Sequence, residues 1–377
     1  MTLTFFSNFL IHHQTPFCEA MVKRLGDGFR FVATEPVPRE RLEMGYQNLE
    51  DAPYAVNAYR DDESYAEAMR LGEESDVVII GSAPEDFIVK RLAQNKLTFR
   101  YSERLFKKFR WHFHPNAWKV RWQRDTRYRR KNLFMLCASA YTAPDCRSIF
   151  AYPRKTYKWG YFPQLEKIDY SVLQEIKAKN EVVRIIWVSR FIPLKHPEEV
   201  LALAERLKSE GKPFELEMLG VGELREEYEA KVRELGLSDC VSFTGPYAPD
   251  EVLEHMRRAD IFLFTSDKNE GWGAVMNEAM SSACAVVACR EIGSVPYLIK
   301  DGENGLIYRK RGQDSLYECV SSLMEDEALR ARLQRNGYDT IHGVWNAETA
   351  AERLLHLIDC IKSGEEAGYD FGPCSRA

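Results

Sequence analysis

Residues 261–278 read Ile-Phe-Leu-Phe-Thr-Ser-Asp-Lys-Asn-Glu-Gly-Trp-Gly-Ala-Val-Met-Asn-Glu. The apolar run Ile261–Phe264 predicts a buried strand that ends at the polar residues after it. A turn with Gly271 and Gly273 comes next, and a helix is predicted from Ala274 onward. A strand, a glycine turn and a helix start in this order are typical of a parallel α/β sheet, which binds ligands at the carboxyl ends of its strands.

Two carboxylates flank this turn, Glu270 before the helix and Glu278 near its start. The N–H groups of a first helical turn favour an anion, and carboxylates accept hydrogen bonds from hydroxyl groups. A nucleotide sugar carries both phosphate and hydroxyls. The stretch alone leaves an alternative open, in which Glu270 caps the helix and Glu278 lies on a solvated face.

Composition bounds the class of protein. A chain of 377 residues exceeds the size of most single cores, so two domains are expected. The net charge of -5 and the pI near 6.0 argue against a surface built for nucleic acid. Nine cysteines without metal-type spacing indicate reduced thiols, and the chain lacks both a signal-peptide pattern and a long apolar run. We therefore expect a cytoplasmic protein.

The first half alternates predicted strands with helical patterns, which favours a parallel sheet. Its first strand, near Leu3, leads into a turn that carries four polar side chains, Asn8, His12, His13 and Gln14. Such a turn commonly faces the ligand crevice, so these residues are candidates for the acceptor side. The alternative is ordinary turn hydrogen bonding.

Residues 104–131 differ from the rest of the chain. Eleven of these 28 residues are Lys or Arg, Asp125 is the only acidic one, and aromatic residues are interleaved with the charges. This mixture suits an anionic membrane surface, a structural helix with a solvated basic face, or nucleic acid. We favour the membrane, which would place the protein peripherally on the inner face of the cell membrane, and we expect no nucleic acid.

The second half begins with a predicted strand, Val182–Arg190, that delivers Arg190 and then Lys195 to its carboxyl edge. A guanidinium can grip a phosphate in a forked contact, and an ammonium acts as a mobile point charge. Further strands end in glycine turns at Gly220, Gly222 and Gly245, which we expect at the same edge of the sheet.

Six sequence motifs in this half together resemble those of a known protein family. They are Val188–Arg190 with Lys195, Gly220–Gly222, Phe243–Gly245, Glu270–Met280, Gly293–Pro296 and Asp301–Gly305. Their order and spacing over residues 182–345 resemble the retaining glycosyltransferases of family four, also called glycosyl transferases group 1. The resemblance implies an α/β protein with the GT-B fold, two Rossmann-like doubly wound domains that face a central crevice.

The expected domains follow from this resemblance. Residues 1–170 would form an acceptor-side domain and 171–345 the nucleotide-sugar-binding domain. Residues 346–362 would form a helix that returns to the first domain, and 363–377 a flexible tail.

The resemblance also implies roles for individual residues. The catalytic candidates are Glu270, Arg190 and Lys195, with His13 as a further one. The donor would be bound by Arg190, Lys195, Gly220, Gly222, Gly245, Glu270, Gly271, Trp272, Gly273, Ala274 and Glu278. Members of the family usually act without a metal, and the sequence has neither an Asp-x-Asp motif nor a His and carboxylate cluster. We therefore expect no metal and no cofactor.

The function that the resemblance implies is transfer of a sugar from a nucleotide-sugar donor, with a UDP-sugar favoured, with retention at the anomeric carbon. The acceptor would be a glycan or a lipid-linked precursor in cell-surface polysaccharide synthesis. The alternatives are a GT-B-like sugar-nucleotide epimerase or phosphorylase, and a non-catalytic nucleotide-sugar-binding protein. A glycoside hydrolase also uses two carboxylates, but it has no need of cations aimed at a leaving diphosphate.

Overall fold

The computed structural model describes residues 1–39, 42, 49–106, 115–309 and 315–377. These residues divide into two compact units, unit 1 with residues 1–164 and 345–377, and unit 2 with residues 165–344. Each unit contains one parallel sheet whose strands alternate with helices along the chain. The predicted α/β class with two such units is confirmed.

Unit 1 is built on a seven-stranded sheet with the order β3-β2-β1-β4-β5-β6-β7. Its strands are β1 (Leu3–Ser7), β2 (Phe29–Ala33), β3 (Ala55–Asn57), β4 (Val77–Ile80), β5 (Thr98–Ser102), β6 (Leu133–Cys137) and β7 (Thr156–Lys158). All neighbouring strands are parallel. Strand order changes direction between β1 and β4, so the turn after β1 lies at the switch point where doubly wound sheets bind ligands.

The helices of unit 1 are α1 (Thr15–Leu25), α2 (Asp62–Glu74), α3 (Asp86–Ala93), α4 (Pro115–Arg124), α5 (Thr142–Ser148) and α14 (Ala347–Ser363). The last of them, α14, starts at an N-cap in which Asn346 Oδ1 accepts from Thr349 N at 2.9 Å. It lies against α1, where Arg24 Nη1 donates to Glu348 Oε2 at 2.6 Å. The chain thus returns from unit 2 to unit 1 through this helix.

The segment after α14 differs from the flexible tail that the sequence predicts. Lys158 N donates to Ser375 O, and Cys374 N donates to Lys158 O, both at 2.8 Å. Cys374 and Ser375 are 1% exposed. The tail therefore covers the outer edge of β7 through backbone hydrogen bonds, which protects an otherwise open strand. The prediction failed because backbone pairing leaves no pattern of apolar side chains.

Unit 2 is built on a six-stranded sheet with the order β10-β9-β8-β11-β12-β13. Its strands are β8 (Val183–Val188), β9 (Phe214–Leu219), β10 (Val241–Thr244), β11 (Ile261–Phe264), β12 (Ala285–Cys289) and β13 (Leu306–Tyr308). All are parallel, and β11 and β12 are completely buried. Here the strand order reverses between β8 and β11, which places the loops after these two strands at the switch point.

The helices of unit 2 are α6 (Tyr170–Lys177), α7 (Pro197–Ser209), α8 (Arg225–Glu234), α9 (Pro249–Arg258), α10 (Val275–Ser281), α11 (Val295–Leu298), α12 (Ser315–Glu325) and α13 (Glu327–Gly343). Helix α7 follows the sequence pattern closely, with Pro197 at its first position and an apolar stripe of Val200, Leu201, Ala204 and Leu207 that is buried. Trp187 on β8 and Trp272 after β11 are the largest fully buried side chains of this unit.

The basic and aromatic segment is described only in part. Residues 107–114, with Phe109, Trp111 and Phe113, lie outside the described residues. The remainder contains α4 and a 3-10 turn at Thr126–Tyr128. Within the described ranges, no helix is both long enough and apolar enough to cross a bilayer.

Candidate functional site

The carboxyl edge of the unit 2 sheet gathers most of the predicted donor residues. Several hydrogen bonds join β8 and the loop after it to the loop after β11. Trp187 Nε1 donates to Thr265 Oγ1 at 2.9 Å, and this hydroxyl donates to Lys195 O at 2.6 Å. Asp267 N donates to Leu194 O at 3.1 Å. Because Trp187 and Thr265 are at most 1% exposed, the two loops are tied together beneath the surface.

Lys195 and Glu270 form an ion pair across these loops. Lys195 Nζ donates to Glu270 Oε2, and the two side chains are only 11% and 16% exposed. The ammonium also lies 6.0 Å from the centre of the Phe264 ring. Glu270 is therefore paired with a lysine and not engaged in capping the helix, which was the alternative that the sequence left open. The pair places one positive and one negative group at the switch point of the sheet.

Arg190 lies in the same loop but has a different environment. Arg190 is exposed, and its backbone O accepts a hydrogen bond from Ile192 N at 2.9 Å. Within the described residues, no carboxylate lies within 4.0 Å of its guanidinium. Arg190 thus presents a cation that the protein itself does not neutralise.

The turn after β9 requires glycine at two positions. A Cβ on Gly220, with φ of +147°, would lie 1.9 Å from Ser189 O, and one on Gly222, with φ of +150°, would lie 2.4 Å from Phe191 O. The two backbones approach because Ser189 N donates to Leu219 O at 3.0 Å and Phe191 N donates to Val221 O at 2.8 Å. No side chain fits between these loops, so both predicted glycines serve close backbone packing beside Arg190.

Arg225 at the start of α8 braces the same edge. Its Nη1 atom donates to three carbonyl oxygens, Gly220 O at 2.7 Å, Thr244 O at 3.1 Å and Gly245 O at 2.9 Å. The turns that end β9 and β10 are thereby held together. The sequence analysis did not single out Arg225, since an arginine in a first helical turn has no distinguishing pattern.

The glycine turn of residues 271–274 packs tightly on β11. Trp272 is completely buried, its Nε1 donates to Asn277 Oδ1 at 3.0 Å, and its carbonyl accepts from Ser294 Oγ. A Cβ on Gly273 would lie 2.2 Å from Phe264 Cζ. In the described part of the chain, the N–H groups of Gly273, Ala274 and Val275 have no acceptor within hydrogen-bond distance. These donors remain open to a ligand.

Glu278 lies on α10, one turn beyond Ala274, and its side chain is half-buried. Removal of its carboxyl from water raises its pKa from the usual 4.5 to about 7. No described side chain donates a hydrogen bond to it. It is therefore not a carboxylate on a solvated face, the second alternative left by the sequence, and its oxygens are available as acceptors.

Two polar residues of this edge were missed by the sequence analysis. His196, with a left-handed φ of 52°, has Nδ1 2.6 Å from Glu198 Oε1 and Nε2 3.4 Å from Asp267 Oδ2. Asp267 Oδ1 also accepts from Asn269 N at 2.8 Å. The ring thus links the start of α7 to the loop after β11. No spacing rule in the sequence marks this contact, because it joins residues about 70 positions apart.

The predicted acceptor-side residues lie in unit 1, in the turn after β1. His12 and His13 are half-buried with ring centres 4.0 Å apart, and His13 stacks on Tyr161 at 6.1 Å. Tyr161 OH donates to Glu103 Oε1 at 2.6 Å. The turn therefore belongs to a cluster of aromatic and polar groups at the switch point of the unit 1 sheet.

Asn8 and Gln14 have structural contacts in this turn. Ser7 Oγ donates to Asn8 Oδ1 at 3.1 Å, and the Asn8 carbonyl accepts from Thr34 N and Glu35 N. Gln14 Oε1 accepts from Ile11 N at 3.4 Å. These bonds are the ordinary turn contacts that the sequence left as the alternative for both residues.

Among the described residues, no group of three or more His, Cys, Asp or Glu side chains is arranged to hold a metal ion. The nine cysteines are thiols that take no part in a disulfide bond.

Comparison with known proteins points to one family. Residues 172–340 match the family described as Glycosyl transferases group 1. The chain is 26% identical over 174 residues to the lipopolysaccharide core biosynthesis glycosyltransferase LpsE of Rhizobium meliloti (strain 1021), which covers 46% of this chain and 49% of that protein.

A second relative, from Campylobacter jejuni, is N-acetylgalactosamine-N,N'-diacetylbacillosaminyl-diphospho-undecaprenol 4-alpha-N-acetylgalactosaminyltransferase. It is 27% identical over 194 residues, which covers 52% of this chain and 51% of that protein. The chain thus spans about half the length of the curated relatives it matches.

Structural likeness extends over both units. The crystal structure of Anabaena Alr3699/HepE in complex with UDP matches 95% of this chain and 100% of its own, with a TM-score of 0.72 and 15% identity. This likeness shows the fold, which is the predicted GT-B fold. Residues 172–340, which include the candidate site of unit 2, match the glycosyl transferases group 1 family.

Proposed function

We propose that this protein is a retaining glycosyltransferase that transfers a sugar from a nucleotide-sugar donor, a UDP-sugar by preference, to a glycan or lipid-linked acceptor in cell-surface polysaccharide synthesis. The observation that carries the proposal is the Lys195–Glu270 pair at the switch point of unit 2, between the glycine turns and the Glu278 carboxyl. This edge offers cations, open backbone donors and hydroxyl acceptors within one set of loops.

The donor diphosphate would be held by Arg190 and Lys195. No described carboxylate pairs with Arg190. The diphosphate would therefore bind this guanidinium without competition from a protein carboxylate. Gly220, Gly222 and Gly245 keep the adjoining turns free of side chains, and the open N–H groups of Gly273 and Ala274 supply further donors.

The hydroxyl groups of the donor would meet the two carboxylates. Glu278 would accept from the ribose, since its oxygens have no described protein donor. Glu270 would accept from the transferred sugar while Lys195 keeps it oriented. Gly271 and Trp272 shape the turn between them, Trp272 through its buried ring.

The chemical step breaks the bond between the anomeric carbon and the diphosphate oxygen, the acceptor oxygen bonds to that carbon on the same face, and the proton of the acceptor hydroxyl leaves with the diphosphate. Negative charge develops on the leaving diphosphate, and Arg190 with Lys195 would stabilise that charge without reorganising. His13 in unit 1 stays a candidate for contact with the sugar or the acceptor. We propose no metal, since the two cations would perform the charge stabilisation.

The names of relatives support the substrate classes. The Campylobacter jejuni enzyme is named for a diphospho-undecaprenol-linked sugar and the Rhizobium meliloti enzyme for lipopolysaccharide core biosynthesis, while the Anabaena protein was crystallised with UDP. These names favour a UDP-sugar donor and a glycan or lipid-linked acceptor here.

The test is nucleotide release from a panel of UDP-, GDP- and ADP-sugars with a chelator present. Glu278→Ala and Arg190→Ala are compared with two matched controls on exposed positions of α8, Glu234→Ala and Arg233→Ala. We expect release from one donor by wild type and by both controls, and loss of release in the two site variants.

Other outcomes would overturn parts of the proposal. Conversion of the donor sugar without any acceptor would indicate an epimerase. Tight binding of a donor with no turnover across a panel of lipid-linked and free glycan acceptors would indicate a binding protein. Failure of every donor to bind would show that this edge of unit 2 is not the donor site.

A further inference from the structure

A second surface of the protein, in unit 1, combines basic charge with exposed apolar side chains. It consists of residues 115–131, with α4 and the 3-10 turn, and of residues 147–155, which begin at the last two residues of α5; we call it the cationic face. Val120, Trp122 and Phe150 are 54%, 57% and 74% exposed. Large apolar side chains that are exposed singly are ordinary, but several on one surface mark an interaction site.

Hydrogen bonds between the two segments show that they form one surface. Thr126 Oγ1 donates to Ile149 O at 2.8 Å, beside Phe150. Lys155 Nζ donates to Arg129 O at 3.3 Å and to Lys131 O. Phe150 therefore stands next to the turn that follows Trp122, although 28 residues separate the two in sequence.

A buried ionic cluster fixes this surface to the sheet. Arg100 on β5, 1% exposed, donates through Nε to Tyr152 OH at 2.9 Å and through Nη2 to Arg124 O at 3.1 Å. Tyr152 OH in turn donates to Asp125 Oδ1 at 2.6 Å. Both segments of the cationic face are thus held by one arginine, so the face is presented as a rigid unit.

The charge of this face is not compensated. Its one acidic residue, Asp125, is 1% exposed and is used by Arg100 and Arg121. No described carboxylate lies within 4.0 Å of the exposed basic side chains, which are Lys119, Arg127, Arg129, Arg130, Arg147 and Arg154. A chain with a net charge of -5 therefore concentrates positive charge on one small surface.

We propose that the cationic face docks on an anionic phospholipid surface. The basic side chains would lie among the headgroups, and Val120, Trp122 and Phe150 would enter the boundary between headgroups and acyl chains. The aliphatic Val120 and the unpaired apolar tips favour a lipid over nucleic acid, which would be gripped by stacking in a groove. This docking needs neither donor nor turnover, so it is independent of the proposed transfer reaction.

Vesicle cosedimentation of the full chain without nucleotide tests the proposal. Phosphatidylcholine vesicles are compared with mixed phosphatidylcholine and phosphatidylglycerol vesicles. We expect binding to the mixed vesicles alone. In the variant Arg127→Gln/Arg129→Gln/Arg130→Gln, we expect the partition coefficient to fall on the order of 100-fold, because each basic residue near the surface contributes about a factor of five.

A matched control removes three exposed basic residues that have acidic partners elsewhere in unit 1, as Arg60→Gln/Arg70→Gln/Lys90→Gln. This variant has the same net charge and should bind as wild type. The apolar variant Trp122→Ser/Phe150→Asn should lose at least about tenfold. Asparagine is chosen because it tolerates the left-handed φ of 55° at residue 150.

Insertion has its own readout. Brominated lipid in the mixed vesicles should quench tryptophan fluorescence of wild type, and the quenching should disappear in Trp122→Phe. Equal loss of binding in the control triple, binding to neutral vesicles alone, or tighter binding to a single-stranded oligonucleotide than to mixed vesicles would each overturn the proposal.

Discussion

Lys195 Nζ donates a hydrogen bond to Glu270 Oε2 and joins the loops after β8 and β11, the two strands between which the sheet of unit 2 changes direction. Both side chains are largely removed from solvent. A cation and a carboxylate at such a switch point can bind different parts of a nucleotide sugar. The cation can bind a phosphate, and the carboxylate can accept hydrogen bonds from hydroxyl groups.

Replacement of this lysine should affect turnover more than folding. Lys195→Met would remove a charge aimed at the leaving diphosphate, and we expect kcat to fall roughly 100-fold to 1,000-fold. Lys179→Met, at an exposed position of the same unit, is the control and should leave kcat unchanged. Steady-state kinetics with the preferred donor measure both. An unchanged kcat in Lys195→Met would remove this residue from the catalytic machinery.

Glu278 should make the free energy of unfolding depend on pH. Its pKa rises from 4.5 to about 7 on folding, so between these values the folded protein binds more protons than the unfolded chain. The free energy of unfolding therefore falls as pH rises through this window and is fully reduced above about pH 7. Glu278→Gln should match wild type near pH 4.5 and exceed it at pH 8.

The difference in the free energy of unfolding between Glu278→Gln and wild type at pH 8 should be at most about 3 kcal/mol, since one pKa unit corresponds to about 1.4 kcal/mol. Urea unfolding at several pH values measures it. The control is Glu303→Gln, which removes the charge of a side chain that is 69% exposed. A difference between Glu278→Gln and wild type that does not change with pH would contradict the expected titration.

The turn after β9 should not tolerate a methyl group. Gly220→Ala places a Cβ against Ser189 O and should cost about 1–3 kcal/mol of stability by backbone strain. Because Ser189 precedes Arg190, donor affinity should fall more than tenfold. Gly236→Ala has a comparable positive φ of +65° with open space around it, so it should lose stability but keep donor affinity. Calorimetric titration with UDP separates the two effects.

The buried ionic cluster of unit 1 should be sensitive to loss of one partner. Asp125→Ala would leave Arg100 buried with fewer partners, and we expect a loss of about 3 kcal/mol. Glu67→Ala, which removes an exposed pair with Arg70 at 3.9 Å, should change stability by less than about 1 kcal/mol. Denaturant unfolding of both variants tests this, and equal effects would show that the cluster contributes nothing special.

Local sequence patterns were sufficient for most of the strands and the turns that end them, although they did not predict the three-residue strands β3 and β7. The apolar runs of β11 and β12 are contiguous, β8 and β9 are apolar apart from Arg184, Glu215 and Glu217, and glycines follow where backbones approach, as at Gly220 against Ser189. The predicted donor residues of these turns lie on one sheet edge because parallel strands all end there.

Other features of the structure could not be predicted from any pattern in the sequence. The bonds from Arg225 to Thr244 O and Gly245 O, the link through His196, the tail on β7 and the bond from Thr126 to Ile149 O all join residues that are far apart in the sequence. A side chain that bonds to a backbone carbonyl needs only an acceptor in space, and no spacing along the chain records it.

The sequence by itself determined the class of fold, the order of its strands and glycine turns, and the carboxylates and cations that stand after β8 and β11. These follow from periodicity and from backbone sterics, which act between near neighbours. Only the tertiary structure decided that Glu270 pairs with Lys195 and that the Glu278 carboxyl is removed from solvent. The same holds for the cationic face, where Asp125 is buried while six basic side chains stay exposed. Burial and electrostatic pairing depend on which surfaces meet, and that is a property of the folded chain.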